Sequence, residues 1–114
     1  MPPGSPPPAP PPVRLIVAAG QEAPSAAALL AEAISAAAQG ASVSVLFSEG
    51  GLEFLASEWP RMLEGAGVRM SLCSRSARGR RVEPATLPTT VLWSSLTNFL
   101  LDTDPDARLW TVFA

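Results

Sequence analysis

The alternation of apolar and polar positions predicts five short strands with helices between them. Residues 13–19 form an apolar run that is typical of a buried strand. Residues 41–47 alternate between apolar and serine side chains, which favours a second strand. Three more strands are predicted at 68–72, 89–93 and 108–113. Each is too short for a helix that buries one face, so the apolar runs are assigned to a sheet.

The intervals between the strands show helical spacing. Apolar residues recur on one helical face over 24–40 and again over 51–65, where Pro60 is expected to kink or divide the helix. Residues 74–81 have room for one or two helical turns, and a last helix is predicted over 96–101. Regular alternation of strands and helices predicts an α/β fold, a single-domain three-layer sandwich around a mostly parallel five-stranded sheet.

The first twelve residues do not fit this pattern, because eight of them are prolines. Proline lacks the N–H that helices and sheets need, so residues 1–12 are predicted to be a disordered tail of polyproline II character and 13–114 the domain. The Pro7 to Pro10 spacing leaves open a second role for the tail, as a ligand for an aromatic groove.

Composition excludes several classes of chemistry. The chain of 114 residues contains one cysteine, no histidine and no tyrosine, and its eight basic residues are all arginines. A disulfide framework, a histidine-based catalytic triad and a Schiff-base lysine are therefore excluded. We expect neither a metal site nor a cofactor.

Charge and hydropathy bear on partners and location. The net charge of −2 gives no reason to expect direct contact with nucleic acid. No apolar run approaches the length of a membrane-spanning helix, and the N-terminus lacks the features of a signal peptide. We therefore expect a cytoplasmic protein that makes no membrane contact.

The candidate site follows the third predicted strand, 68–72, which ends at the single cysteine, Cys73. Ligands bind beyond the carboxyl ends of the strands in an open parallel sheet, and positive charge or free N–H groups there lower the pKa of a thiol. Four arginines follow within seven residues of the chain: Arg75, Arg78, Arg80 and Arg81. The same position also suits a small hydrophobic core residue, so both interpretations of the cysteine remain open.

The segment Leu72-Cys73-Ser74-Arg75-Ser76-Ala77-Arg78-Gly79 resembles the DsrE/DsrF-like family of small sulfur-relay proteins, which includes TusD-type subunits. The similarity spans residues 13–113 and lies chiefly in a cysteine after the third strand followed by an Ala-Arg-Gly pattern. The resemblance implies a DsrE-like fold. It also implies a sulfurtransferase-type carrier in which Cys73 holds sulfane sulfur as a persulfide.

The implied catalytic residue is Cys73. The residues expected to bind substrate or to activate the thiol are Ser74, Arg75, Ser76 and Arg78. The implied partners are a protein sulfur donor and a protein acceptor, for example a TusA-like carrier. Assembly as a homo-oligomer or with related subunits is also implied.

Two other functions remain open. The first is a non-catalytic structural subunit of such an oligomer, with interface anchors at Trp59, Trp93, Trp110 and Phe113. The second is a module that binds an anion or a nucleotide at the carboxyl ends of the strands, near Gly20, Gly50 and Arg75.

Overall fold

The computed structural model of the chain describes Gly4 and residues 10–102 and 104–113. Most of the predicted proline-rich tail, residues 1–12, lies outside the described residues. Within the described part, no helix combines the length and the apolar character that crossing a bilayer requires.

All five predicted strands are present and belong to one sheet. They are β1 (Val13–Ala18), β2 (Val43–Phe47), β3 (Arg69–Cys73), β4 (Val91–Ser94) and β5 (Arg108–Phe113). The strand order is β4-β3-β2-β1-β5, and every pairing in the sheet is parallel. The predicted α/β fold with its mostly parallel five-stranded sheet is confirmed.

Helices occupy the intervals between the strands, as predicted. The α-helices are α1 (Pro24–Ala38), α2 (Trp59–Gly65), α3 (Ser74–Gly79) and α4 (Leu96–Leu101), and 3₁₀ helices cover Glu49–Ala56 and Pro84–Thr86. The helix predicted over 51–65 is divided, because the chain turns at Ser57, whose hydroxyl accepts a hydrogen bond from the Trp59 N–H at 3.2 Å. The preference of Pro60 for a first helical turn then starts α2 as a separate helix.

The two faces of the sheet are covered unequally. One face packs against α1, α2 and α3 around buried side chains such as Val17, Phe47 and Leu72. On the other face, Phe99 of α4 packs against Ile16 and Leu46 in a much smaller cluster. Burial of one such side chain contributes about 1.5–3 kcal/mol, so the first face supplies most of the hydrophobic stabilisation.

The segment after β2 is fixed against the end of β1. The Ser48 N–H donates a hydrogen bond to the Val17 carbonyl at 2.9 Å, and the Gly51 N–H donates one to the Ser48 carbonyl at 2.8 Å. Gly51 approaches so closely that a Cβ at this position would overlap the Val17 carbonyl oxygen. Glycine therefore allows the 3₁₀ helix Glu49–Ala56 to lie directly on the carboxyl edge of the sheet.

Candidate functional site

Cys73 lies where the sequence places it, at the carboxyl end of a parallel strand. It is the last residue of β3, is paired in register with Ser94 of β4, and serves as the N-cap of α3. Its backbone is extended, with φ −77° and ψ 113°, and the chain turns into the helix at the next residue. The first N–H groups of α3 are therefore positioned next to the thiol.

Cys73 is largely covered by protein, because the residue keeps only 8% of its accessible surface. Burial by itself raises the pKa of Cys73. Hydrogen bonds from the Ser76 N–H and hydroxyl, from the Arg75 N–H and from the Ser48 hydroxyl outweigh that effect and hold the pKa below its ordinary value. The hydrogen bonds therefore stabilise the thiolate form of Cys73 relative to an ordinary cysteine.

Two serine hydroxyls and a carboxylate form a network beside the thiol. The Ser76 hydroxyl donates a hydrogen bond to Glu49 Oε1 at 2.8 Å, and the hydroxyl oxygens of Ser48 and Ser76 are 3.2 Å apart. Ser76 is 5% exposed, so water has little access to its hydroxyl and does not readily replace these partners. The loop after β2 and the helix after β3 thus meet in one polar cluster around Cys73.

The structure brings together only part of the predicted set. Ser76 contributes both its N–H and its hydroxyl to the environment of the thiol, whereas Arg75 contributes its N–H. Ser74 and Arg78 are not among the groups of the described residues that lower the pKa of Cys73. The side chains of the four arginines after Cys73 are all exposed to solvent.

Sequence reasoning missed Ser48 and Glu49. The signal was present, because both residues directly follow β2, which is the neighbour of β3 in the sheet. Carboxyl ends of adjacent parallel strands meet at one edge, so a polar residue after each strand is a candidate for the same site.

The ends of β1 and β2 present negative charge. Carboxylate oxygens of Glu53 and Glu22 lie 2.5 and 2.7 Å from the point that a Cβ on Gly20 would occupy. An anion bound near Gly20 would meet both carboxylates, which disfavours the anion- or nucleotide-binding hypothesis at this loop. In the described part of the chain, no three acidic, cysteine or histidine side chains are grouped as metal ligands would be.

The sheet face behind α4 leaves large apolar side chains in contact with solvent. Leu92 of β4 and Phe113 of β5 are each 65% exposed, and Leu101 of α4 is 76% exposed. Other large hydrophobic residues exposed in this part of the fold are Trp93, Leu96, Leu100 and Leu109. Exposed apolar side chains in such number are typical of a surface that another protein covers.

Solved structures with the same architecture exist at low sequence identity. YchN protein from E. coli matches with a TM-score of 0.71 and 18% identity, over 89% of this chain and 99% of the YchN chain. MTH1491, a protein of unknown function from Methanobacterium thermoautotrophicum, matches with a TM-score of 0.70 and 17% identity, over 88% of this chain and 99% of its own. No protein-family model matches the sequence, and none of the curated proteins does so either. The chain therefore has a DsrE-like fold.

Proposed function

We propose that the protein is a sulfur carrier that holds sulfane sulfur as a persulfide on Cys73 and relays it between partner proteins. The single observation that supports this most strongly is the set of hydrogen bonds around the thiol, which holds the pKa of Cys73 low despite its burial. A buried cysteine with only a packing role has its pKa raised. The DsrE-like fold is consistent with the proposal but does not identify the chemistry.

The reaction needs only a nucleophilic thiolate. The Cys73 thiolate attacks the outer sulfur of a donor persulfide, R–S–SH, forming the new S–S bond of Cys73–S–SH. The donor's inner sulfur leaves as a thiolate, R–S⁻, which takes up a proton from solvent. An acceptor thiolate then removes the outer sulfur in the same way and regenerates the Cys73 thiolate. Because the chain has no second cysteine, each transfer takes place between two molecules.

The arginines after Cys73 support contact with an acidic partner. Arg75, Arg78, Arg80 and Arg81 are exposed within or just after α3, the helix that begins directly after Cys73. Clustered positive charge accelerates encounters with a negatively charged surface and orients the partner. The proposed donor and acceptor proteins therefore present acidic side chains where they contact α3.

The proposal is tested by mass spectrometry of the intact protein. After incubation with a small-molecule persulfide such as glutathione persulfide, we expect one added sulfur, about 32 Da, on Cys73. The Cys73→Ser variant should gain no sulfur, and an acceptor thiol should remove the adduct from the wild-type protein. If Cys73 stays unmodified while the protein is folded, the relay is wrong.

A structural subunit is the second candidate, and the exposed apolar surface favours it. Leu92 and Phe113 would be buried if related or identical subunits packed on this face. Their burial would add hydrophobic stabilisation that the single chain does not have. Native mass spectrometry should then show a defined oligomer that Leu92→Glu dissociates and Gln39→Glu, at the exposed C-cap of α1, does not. A wild-type monomer at all concentrations would remove this candidate.

A further inference from the structure

The Ser76 hydroxyl has one proton and three polar neighbours. Glu49 Oε1 lies 2.8 Å from the Ser76 oxygen, the Ser48 oxygen lies 3.2 Å from it, and the Cys73 thiol is also within hydrogen-bonding reach. A carboxylate accepts hydrogen bonds and cannot donate them, so in the contact with Glu49 the proton belongs to Ser76. The Ser76 hydroxyl can donate to Glu49 or to the sulfur but not fully to both, and only donation to the sulfur lowers the pKa of Cys73.

The backbone of Glu49 supports a specific role for this residue. Its φ is 47°, in the left-handed region that non-glycine residues adopt at an energetic cost. Glycine would relieve the strain, but it would remove the oxygen that accepts from Ser76. Residues held in this way cluster at functional sites.

We propose that Glu49 controls the ionisation of Cys73 by competing with the sulfur for the Ser76 proton. When the Glu49 carboxylate accepts from Ser76, the Ser48 hydroxyl donates to the Ser76 oxygen, and the thiolate keeps only the N–H groups of α3. When a cationic group of a docked partner pairs with Glu49, which is exposed, the Ser76 hydroxyl turns to donate to the sulfur. The thiolate is then stabilised, and the thiol releases its proton to solvent. Glu49 acts through Ser76 and is therefore a positioning residue.

Other charged groups lie on the elements around Cys73, and the test has to distinguish their effect on its ionisation from that of Glu49. The 3₁₀ helix Glu49–Ala56 carries Glu53 in addition to Glu49, and α3 carries Arg75 and Arg78. The end of β4 contributes the uncharged Ser94, which is paired in register with Cys73. Glu53 is exposed on the same helix as Glu49, which makes it the matched control.

The test follows thiolate absorbance and iodoacetamide alkylation of Cys73 against pH. We expect Glu49→Ala, which removes the acceptor, to lower the midpoint by about one pH unit, a tenfold change in the ionisation constant, because the freed Ser76 proton binds the thiolate. Glu53→Ala should leave the midpoint where it is. In the Ser76→Ala background, Glu49→Ala should have no further effect.

Two results would overturn the proposal. One is a midpoint that stays constant or rises in Glu49→Ala. The other is an effect of Glu49→Ala that persists in Ser76→Ala, since this means that the charge acts directly through space. If the double variant does not fold, Glu49→Gln makes the distinction, because it removes the charge but keeps an oxygen that accepts from Ser76. Equal shifts in Glu49→Gln and Glu49→Ala would mean a through-space effect, whereas the proposal expects the larger shift in Glu49→Ala. The role of Glu49 rests on the proposed sulfur relay for its biological meaning. The titration measures only the ionisation of Cys73, so either proposal can be wrong while the other is right.

Discussion

The hydroxyl oxygens of Ser48 and Ser76 are 3.2 Å apart, although 28 positions separate the two residues in the chain. The contact joins the loop after β2 to the helix after β3, and Cys73 lies next to it. The sulfur is therefore surrounded by hydrogen-bond donors from two neighbouring strand ends and does not depend on a single helix.

Ser48→Ala should raise the pKa of Cys73. The variant removes one hydroxyl that hydrogen-bonds to the sulfur, so the thiolate is less stable and its fraction at neutral pH falls. We expect alkylation at pH 7 to slow by up to about tenfold. Ser42→Ala, before the start of β2, is the control and should alkylate at the wild-type rate. Equal rates for Ser48→Ala and the wild type would show that Ser48 does not contact the sulfur in solution.

The stability of the protein should depend on pH through Cys73. Its pKa is lowered in the folded state, so between that lowered pKa and the ordinary value of 9.0 the unfolded chain binds more protons than the folded one. The free energy of unfolding must therefore rise with pH across this window, and the gain is lost as pH falls through the folded pKa. Cys73→Ser lacks the effect.

Urea unfolding of both proteins at a series of pH values measures this difference directly. The absence of histidine, lysine and tyrosine leaves Cys73 as the side chain that titrates in this range. Parallel pH curves for wild type and Cys73→Ser would show that the folded environment does not stabilise the thiolate.

Gly51→Ala should destabilise the fold and disturb the site together. The new methyl group would overlap the Val17 carbonyl oxygen, and because backbone atoms cannot turn aside, the loop must move. Such overpacking costs about 1–3 kcal/mol, and the movement displaces Ser48 and Glu49. Gly65→Ala, where nothing lies within 4 Å of the added Cβ, is the control. A Gly51→Ala protein with wild-type stability and alkylation rate would contradict the close approach.

Arg81→Gly should stabilise the protein. Arg81 has φ 55° at the end of α3, where the Val82 N–H donates to the Ala77 carbonyl at 2.9 Å. Glycine is the favoured residue at this left-handed position, and we expect a gain of about 0.5–1 kcal/mol in the free energy of unfolding. Arg80 has no positive φ, so Arg80→Gly relieves no backbone strain and should be destabilising. Loss of stability in both variants would mean that the Arg81 side chain itself contributes to the fold.

The sequence predicted the sheet well because central parallel strands are buried on both faces and carry dense apolar runs. Residues 13–19 show such a run, and Pro60 shows where a helix must restart. The position of Cys73 at a strand end could be predicted for the same reason. The partnership of Ser76 with Glu49 could not, since it depends on the positive φ of Glu49 and on the contact of Gly51 with β1. Those are properties of the packed loop, and no local pattern encodes them.

The pairing of β1 with β5 has a consequence for how the protein is made. Val17 and Val112 are register partners, although 95 positions separate them. During synthesis on the ribosome, the backbone N–H and C=O groups along the outer edge of β1 therefore lack their hydrogen-bond partners until β5 has emerged. An unpaired edge of this kind is a template for association with another nascent chain. Slow synthesis between α1 and β5 would prolong that exposure and lower the yield of native protein.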